Sequence, residues 1–594
     1  MITAPADKGQ KMPAGWALGS RLGWRRLLSG VLFLIIPVLF VIAVSQLTKA
    51  KGPQWLPYTF ENPYNYLFNS LLLVKGRAPQ SIGHPGTTTQ VLGAFILRIS
   101  SAKSTEDLIS SVLHNPEKNI RKLHWALLMF TALILWMAPW FTAVVLRNYI
   151  VGLLIQAPCL FYQSLLYYGM LFGPDLMLVP FSIAAVCCCT LLAIPSAPSN
   201  KIEILFGIGN GSKSQGSARL VHVPLLATLT GLVCAFGIAT KLTFFPLILI
   251  GLLCCCRAQR NLLSFTGAFV LGLVIALLPI QSELSRLWTW AFNLGTHSGR
   301  YGDGPVGFPP VSIYLSSLST FLQKEPLLAV IPTVTLIAVI LLSLFPNGQK
   351  STQKPFTGSK GRLSGETNIA LLQYSKTPVL QVPWPISWRI VLGLFAIQLI
   401  SFLAIAKHLG LHYLFPLFLT TGFSLVLLFY SFRTSDSQVK RVIGSLTLIG
   451  LLFLGCKDFI ALTPETYVSL RQQSADELRL YKHAREIAKN NVRVDYFFSD
   501  SPEYALRYGD DFAGQTFGPL LARMYPNVLF FNVFNCRFET FTEFLDPEAE
   551  LKKYDHLYFL GNRNCFPKAD KLDPATFETI DHAGDYYLQK WTRK

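Results

Sequence analysis

Leu27-Leu-Ser-Gly-Val-Leu-Phe-Leu-Ile-Ile-Pro-Val-Leu-Phe-Val-Ile-Ala-Val-Ser-Gln-Leu47 runs without a charged residue for about the 20 residues an α-helix needs to cross a bilayer. A cleavable signal has a shorter apolar core and ends in small residues, so this stretch reads as a retained anchor. Beyond it lies a polar loop with two conspicuous pieces, Glu61-Asn-Pro-Tyr-Asn-Tyr66 and His84-Pro-Gly-Thr-Thr-Thr-Gln90. A carboxylate, tyrosines and a His-Pro turn just past the first span point to chemistry at a membrane surface.

The remainder of the chain repeats the pattern of that first stretch. Of 594 residues, 51% are hydrophobic and only 14% charged, and the mean hydropathy is +0.40, which excludes a soluble globular protein. Apolar runs of roughly 20 residues fall near 27–47, 124–146, 149–172, 175–195, 220–239, 242–257, 262–281, 326–345, 388–406, 411–431 and 442–461. The sequence therefore predicts an α-helical polytopic membrane protein with about eleven transmembrane helices.

Orientation follows from charge. With residues 1–26 cytoplasmic, the basic clusters Lys8/Lys11/Arg21/Arg25/Arg26, Arg257/Arg260, Lys350/Lys354/Lys360/Arg362 and Arg433/Lys440/Arg441 all fall inside, as the positive-inside rule requires. The net charge of +19 is then mostly loop charge facing anionic headgroups, and no nucleic-acid partner is implied. The expected address is the plasma membrane, or inner membrane where there are two. Residues 27–461 form the transmembrane domain, with outer loops 48–123 and 282–325 and a Ser/Thr/Lys/Gly-rich cytoplasmic linker at 347–386. Residues 462–594 alternate apolar runs (492–498, 527–532, 556–560) with helical stretches, which predicts an extracytoplasmic α/β domain with a partly parallel sheet. Its role reads as accessory substrate binding or structure.

Nine of the eleven cysteines lie in predicted spans, including Cys187 to Cys189 and Cys254 to Cys256. They read as small apolar filler, with acylation as the other reading. Cys536 and Cys565 stand in the outer tail, where an oxidising compartment would permit a disulfide between them.

Each residue singled out has an ordinary reading beside the chemical one. Glu61 is a candidate base, or a solvated acid opening a helix near Pro63. His84 is a site residue or a turn residue bonded to backbone, ahead of an interfacial helix over 88–97. Lys241 is a phosphate-facing cation or a snorkelling lysine. Gly299-Arg-Tyr-Gly-Asp-Gly304 combines backbone freedom with a guanidinium suited to phosphate, or is a plain surface loop. Asp175, after Gly173-Pro174, and His412, in Leu411-His-Tyr-Leu414, fall near the outer face as site-lining candidates.

A first-loop carboxylate, a downstream His-Pro element opening an interfacial helix, and many spans resemble the GT-C superfamily of polyprenyl-phosphate-sugar-dependent glycosyltransferases. That superfamily includes protein O-mannosyltransferases and aminoarabinose transferases. The order Tyr64-Asn-Tyr-Leu-Phe-Asn-Ser70, Gly76-Arg77, Gly83 to Gln90, Ala239-Thr-Lys-Leu-Thr-Phe-Phe-Pro246, Thr296 to Pro305 and His412-Tyr-Leu-Phe-Pro416 is similar to one uncharacterised bacterial branch, over roughly residues 25–460. The family usually has Asp in the first loop. Here Asn62-Pro63-Tyr64 stands in that region, which leaves Glu61 as the nearest carboxylate.

The resemblance implies an inverting glycosyltransferase that moves a sugar from a polyprenyl-phosphate donor to an extracytoplasmic lipid, glycan or protein acceptor. Glu61 would take the acceptor proton, while Lys241, His297 and Arg300 would stabilise the departing phosphate. Tyr64, His84, Asp175, Tyr301, Asp303 and His412 would line the substrate site. No cofactor is implied beyond the lipid-linked sugar as co-substrate, and the need for a divalent metal stays open. A lipid or polysaccharide transporter is the second class, although the chain has no evident repeat and few midmembrane charges. A noncatalytic scaffold that keeps the GT-C body in cell-envelope glycan assembly is the third.

Overall fold

The computed structural model describes residues 30–56, 63–83, 86–194, 217–299, 302–344, 388–407, 410–433, 435, 437–489, 491–496, 499–526, 528–532, 537–562 and 577–593. The N-terminal segment 1–26, the linker 347–386, and Glu61, His84, Arg300, Tyr301, Cys536 and Cys565 lie outside them.

The helices are α1 (Ile35–Lys51), α2 (Pro63–Val74), α3 (Thr87–Ile99), α4 (Thr105–His114), α5 (Pro116–Leu146), α6 (Tyr149–Gln156), α7 (Gln163–Gly169), α8 (Pro174–Ala193), α9 (Ser217–Thr240) and α10 (Phe245–Cys255). They continue as α11 (Gln259–Leu277), α12 (Leu284–Thr296), α13 (Val311–Lys324), α14 (Leu327–Leu344), α15 (Trp388–Ile405), α16 (Phe415–Arg433), α17 (Gln438–Ile487), α18 (Pro502–Asp511), α19 (Gly518–Met524) and α20 (Pro547–Leu551). Proline at the first turn starts α5 and α8, where its missing N–H costs nothing. Ser437 and Ser501 cap α17 and α18 by accepting from Lys440 N and Tyr504 N.

Among the described residues, eight helical segments are long and apolar enough to cross a membrane, and the number reaches ten if each of two bent pairs crosses once. The expectation of about eleven is therefore met only in part. The stretch expected at 149–172 is two pieces, Tyr149–Leu160 and Gln163–Gly169, bent by 71°. The break follows a 3-10 turn carrying Pro158, which cannot continue a helical hydrogen-bond ladder. The stretch expected at 242–257 is the shorter apolar helix Leu242–Cys255. Hydropathy counts apolar residues and is blind to bends.

α16 is the central helix, buried on nearly every face, with α8 beside it. At the periphery, α1, α11 and α17 expose Ile42, Leu271 and Phe453, an apolar girdle that fits lipid rather than water. Close packing depends on small residues: a Cβ on Gly231 of α9 would stand 2.3 Å from the Phe265 carbonyl of α11, the kind of approach glycine permits between membrane helices.

Long-range contacts sort the helix ends into two sets. Trp136 donates to Gly30 O, Gln156 to Phe33 O, and Phe33 packs on Tyr149. At the opposite end Gln54 donates to Met170 O, Lys241 pairs with Asp175, and Gln163 bonds Thr466. The start of the first span and the turn at 147–148 thus share one end, and the start of the first loop, Asp175, Lys241 and the stretch after the last span share the other.

The C-terminal region forms one seven-stranded mixed sheet of β1 (Val492–Tyr496), β2 (Val528–Asn532), β3 (Arg537–Glu539), β4 (Phe544–Leu545), β5 (His556–Asn562), β6 (Phe577–Ala583) and β7 (Tyr586–Thr592). The order is β4-β3-β2-β1-β5-β7-β6. β1 is parallel to both β2 and β5, and the remaining pairs are antiparallel, so the sheet is partly parallel. Alternation decides its two faces. Val494, Tyr496, Phe531 and Phe559 form a core of their own, while Phe530, Leu560 and Leu588 join the core that continues into the bundle. α17 runs unbroken from the membrane segment Gln438–Lys457 into this region, so the join at 461/462 is a continuous helix. The sheet region docks on the first loop, where Asn69 donates to Phe512 O and Gly509 lies against Phe68.

Candidate functional site

The bundle end that carries the sheet region also carries the polar side chains. α8 begins Gly173-Pro174-Asp175, which puts the Asp175 carboxylate in the first helical turn, where the helix dipole favours an anion. α9 ends at Thr240. Lys241 then takes an extended backbone (φ −159°, ψ 135°) before the 3-10 turn Leu242–Phe244, and this break turns its side chain inward. Lys241 Nζ lies 2.9 Å from Asp175 Oδ1, with both side chains buried.

Aromatic rings complete the wall. The Lys241 ammonium sits 4.8 Å from the centre of the Tyr413 ring, a cation–π distance. The His412 ring lies between Tyr413, with centroids 4.0 Å apart, and Tyr168, at 4.8 Å, tilted by 46° to each. The 3-10 turn Leu411–Leu414 ahead of α16 presents both residues. Asp175, Lys241 and His412, far apart in the chain, thus form one buried cluster.

The first-loop motif reaches the same place. Gly86, left-handed at φ +57°, opens α3, and its N–H donates to Thr240 O at 2.9 Å. Thr87 Oγ1 donates to Ala239 O at 2.9 Å, and Thr88 and Thr240 hydroxyls meet at 2.6 Å. Gly86-Thr-Thr88 and Ala239-Thr-Lys241 are therefore laced together beside Asp175. α3 starts within a residue of the expected interfacial helix and exposes Val91, Phe95 and Ile99 along one side.

His297 and Asp303 belong to a different structure, a turn of the second loop. There Gly299 N donates to Asp303 O and Ser298 N to Pro305 O, while Gly302 and Gly304 take positive φ. Lys407 ties the turn to the end of α15, donating to Leu294 O at 2.8 Å and to His297 O. Asp303 is exposed. Glu61, His84, Arg300 and Tyr301 are outside the described residues.

Tyr64 leads to a feature the sequence reading missed. Its hydroxyl donates to Glu117 Oε1 at 3.1 Å, and Glu117 also accepts from Gln54 N at 2.9 and 3.0 Å. Burial, and then the charge of Glu117, push the Tyr64 hydroxyl well above its ordinary pKa, so it remains a donor. Lys51 is buried alongside, donating to Pro53 O and Gln54 O. Glu117 lines a cleft of about 540 Å³ together with Tyr64, Lys118 and Arg121 and with Pro502, Leu506 and Tyr525 of the C-terminal region. Pro116-Glu117 opening a span was the available signal, but an acid in a first helical turn also satisfies the dipole and so reads as ordinary. Lys407 gave no signal, because its partners are backbone carbonyls.

Among the described residues no group of three or more His, Cys, Asp or Glu side chains is arranged to hold a metal ion. Comparison with protein-family models, curated proteins and solved structures finds no match to this chain.

Proposed function

We propose that this chain is a GT-C-like membrane glycosyltransferase, inverting at the anomeric carbon, that takes its sugar from a polyprenyl-phosphate donor. The observation that carries the reading is the lacing of Gly86-Thr-Thr88 to Ala239-Thr-Lys241 beside Asp175 and His412. Segments that resemble the family in order along the chain also meet in space, at the end joined to the α/β region.

In this reading the end with Arg257, Arg260, Arg433 and Arg441 is cytoplasmic, and the polar end faces outward. The acceptor oxygen attacks the anomeric carbon, the bond from that carbon to the phosphate oxygen breaks, and the acceptor proton passes to Glu61. Lys241 faces the phosphate from a buried position where its charge is little screened. Asp175 holds that ammonium in place, and the resemblance assigns His297 and Arg300 of the second loop to the same phosphate. Polyprenyl phosphate and the glycosylated acceptor leave.

Profiling lipid-linked sugars and envelope glycans in a strain that lacks the protein tests the proposal. The donor should accumulate while one sugar disappears from a glycan, lipid or protein. Unchanged profiles on both sides would overturn it.

A further inference from the structure

The second loop, expected at 282–325 as an outer loop, has a surface unsuited to water. α11 alone has 19 residues, about enough to cross the hydrocarbon core, so α12 is surplus length. Between them the chain breaks at Ile280, whose φ −117° and ψ 21° are not helical. α13 is bent by 83° from the span that follows it, with Pro326 at the corner. It therefore runs across the direction of that span.

Each helix has a packed side and an open side. In α12, Trp290 lies against Gly83, Arg286 bonds Gln80 and Glu283, and Asn293 meets Gly302. In α13, Tyr314 donates to Leu403 O at 2.6 Å and Phe321 packs on Phe402. The open side of α12 is a stripe at i, i+4 and i+8: Leu284, Trp288 (75% exposed) and Phe292 (60%). It continues through Phe308 (70%) to Val311 (68%) and Leu315 on α13. So many large apolar side chains exposed within one loop are rare on surfaces bathed by water.

We propose that this face is immersed in the outer headgroup and acyl boundary of the bilayer, with α13 lying along the interface and the exposed side of α12 meeting lipid beside it. The occupant follows from continuity. The stripe is flanked in the chain by the apolar helices α11 and α14, and α13 lies crosswise to the second. A crosswise helix with one apolar side, as α13 is, beside exposed Trp288 has the geometry of interfacial immersion, about 5–10 Å deep. Through Lys407, which binds the carbonyls of Leu294 and His297, this placement also holds the turn bearing Asp303 at headgroup depth. The inference does not depend on the glycosyl-transfer reading.

The test uses the full chain in phosphatidylcholine nanodiscs holding one copy each. A fluorescent noncanonical amino acid replaces Trp288, Phe308 or Leu315 in turn. The control is Phe544, an exposed residue of β4. Each labelled chain must melt like the unlabelled one, and the bulky apolar label is chosen to preserve packing. At the three loop positions, nitroxide placed high on the lipid acyl chain should remove most of the emission while aqueous iodide removes little; Phe544 should show the reverse. Iodide quenching at all three positions equal to that at Phe544 would overturn the proposal. So would protection seen only in discs loaded with two copies, which would assign the face to a second copy of this chain.

Discussion

Replacing Lys241 with methionine tests the Asp175–Lys241 pair, whose two charges sit 2.9 Å apart with almost no solvent contact. The substitution keeps much of the side-chain volume and removes the ammonium from a carboxylate that stays buried. Breaking a buried pair from one side costs about 3–5 kcal/mol, because the desolvation of the remaining charge is no longer offset. Asp175→Asn should cost a similar amount by the converse route. Replacing both at once removes both desolvation terms, so the double variant should fall close to the unsubstituted chain. Denaturant titration in mixed micelles, followed by tryptophan emission across all four members of the cycle, measures these differences. Single variants within about 1 kcal/mol of the unsubstituted chain, the range of an exposed pair, would refute the buried pair. A double variant as unstable as the sum of the singles would refute the coupling.

Burial raises the Asp510 carboxyl from 3.8 to about 6, so the folded chain binds this proton more tightly than the unfolded one. Its contribution to stability is present below 3.8 and is lost as pH rises to about 6, a difference of about 3 kcal/mol. Asp510→Asn should remove that slope in melts run from pH 4 to pH 7, and identical slopes for the two chains would contradict the assignment. Glu117→Ala leaves Gln54 N and the Tyr64 hydroxyl without this acceptor and should cost about 1–3 kcal/mol; a change near zero in the same titration would place water or another group there. Gly231→Ala drives a methyl to within 2.3 Å of the Phe265 carbonyl and should cost about 1–3 kcal/mol by overpacking. An unchanged melting temperature would show that α9 and α11 separate freely.

The spans were legible because a run of apolar residues is needed wherever a helix meets lipid, and the long apolar runs of roughly 20 residues are mainly helical in the described residues. The α/β region was legible from alternation: Val494 and Tyr496 face one way while Arg493 and Asp495 face the other. What composition could not carry was direction. The 71° bend after Pro158 and the 83° bend at Pro326 leave apolar composition unchanged, and the outward stripe of α12 emerges only once its packed side is known. The cluster was half legible. Asp175, Lys241 and His412 could each be placed near one face by span counting, but their meeting depends on which helices are neighbours in space. Glu117 was hidden because an acid in a first helical turn is already accounted for by the helix dipole.

Central to the account is cleavage of a lipid-linked sugar at the outward end of the bundle, as opposed to its passage through the membrane intact. Purified full-length chain, reconstituted in liposomes made with total envelope lipid of the source cell, allows both outcomes to be read by mass spectrometry. The account predicts release of free polyprenyl phosphate in step with sugar appearing on an acceptor. With Glu61→Gln the donor should still bind while that release falls by about 100-fold to 10,000-fold. Movement of intact polyprenyl-phosphate sugar between leaflets, with no free polyprenyl phosphate formed, would contradict it.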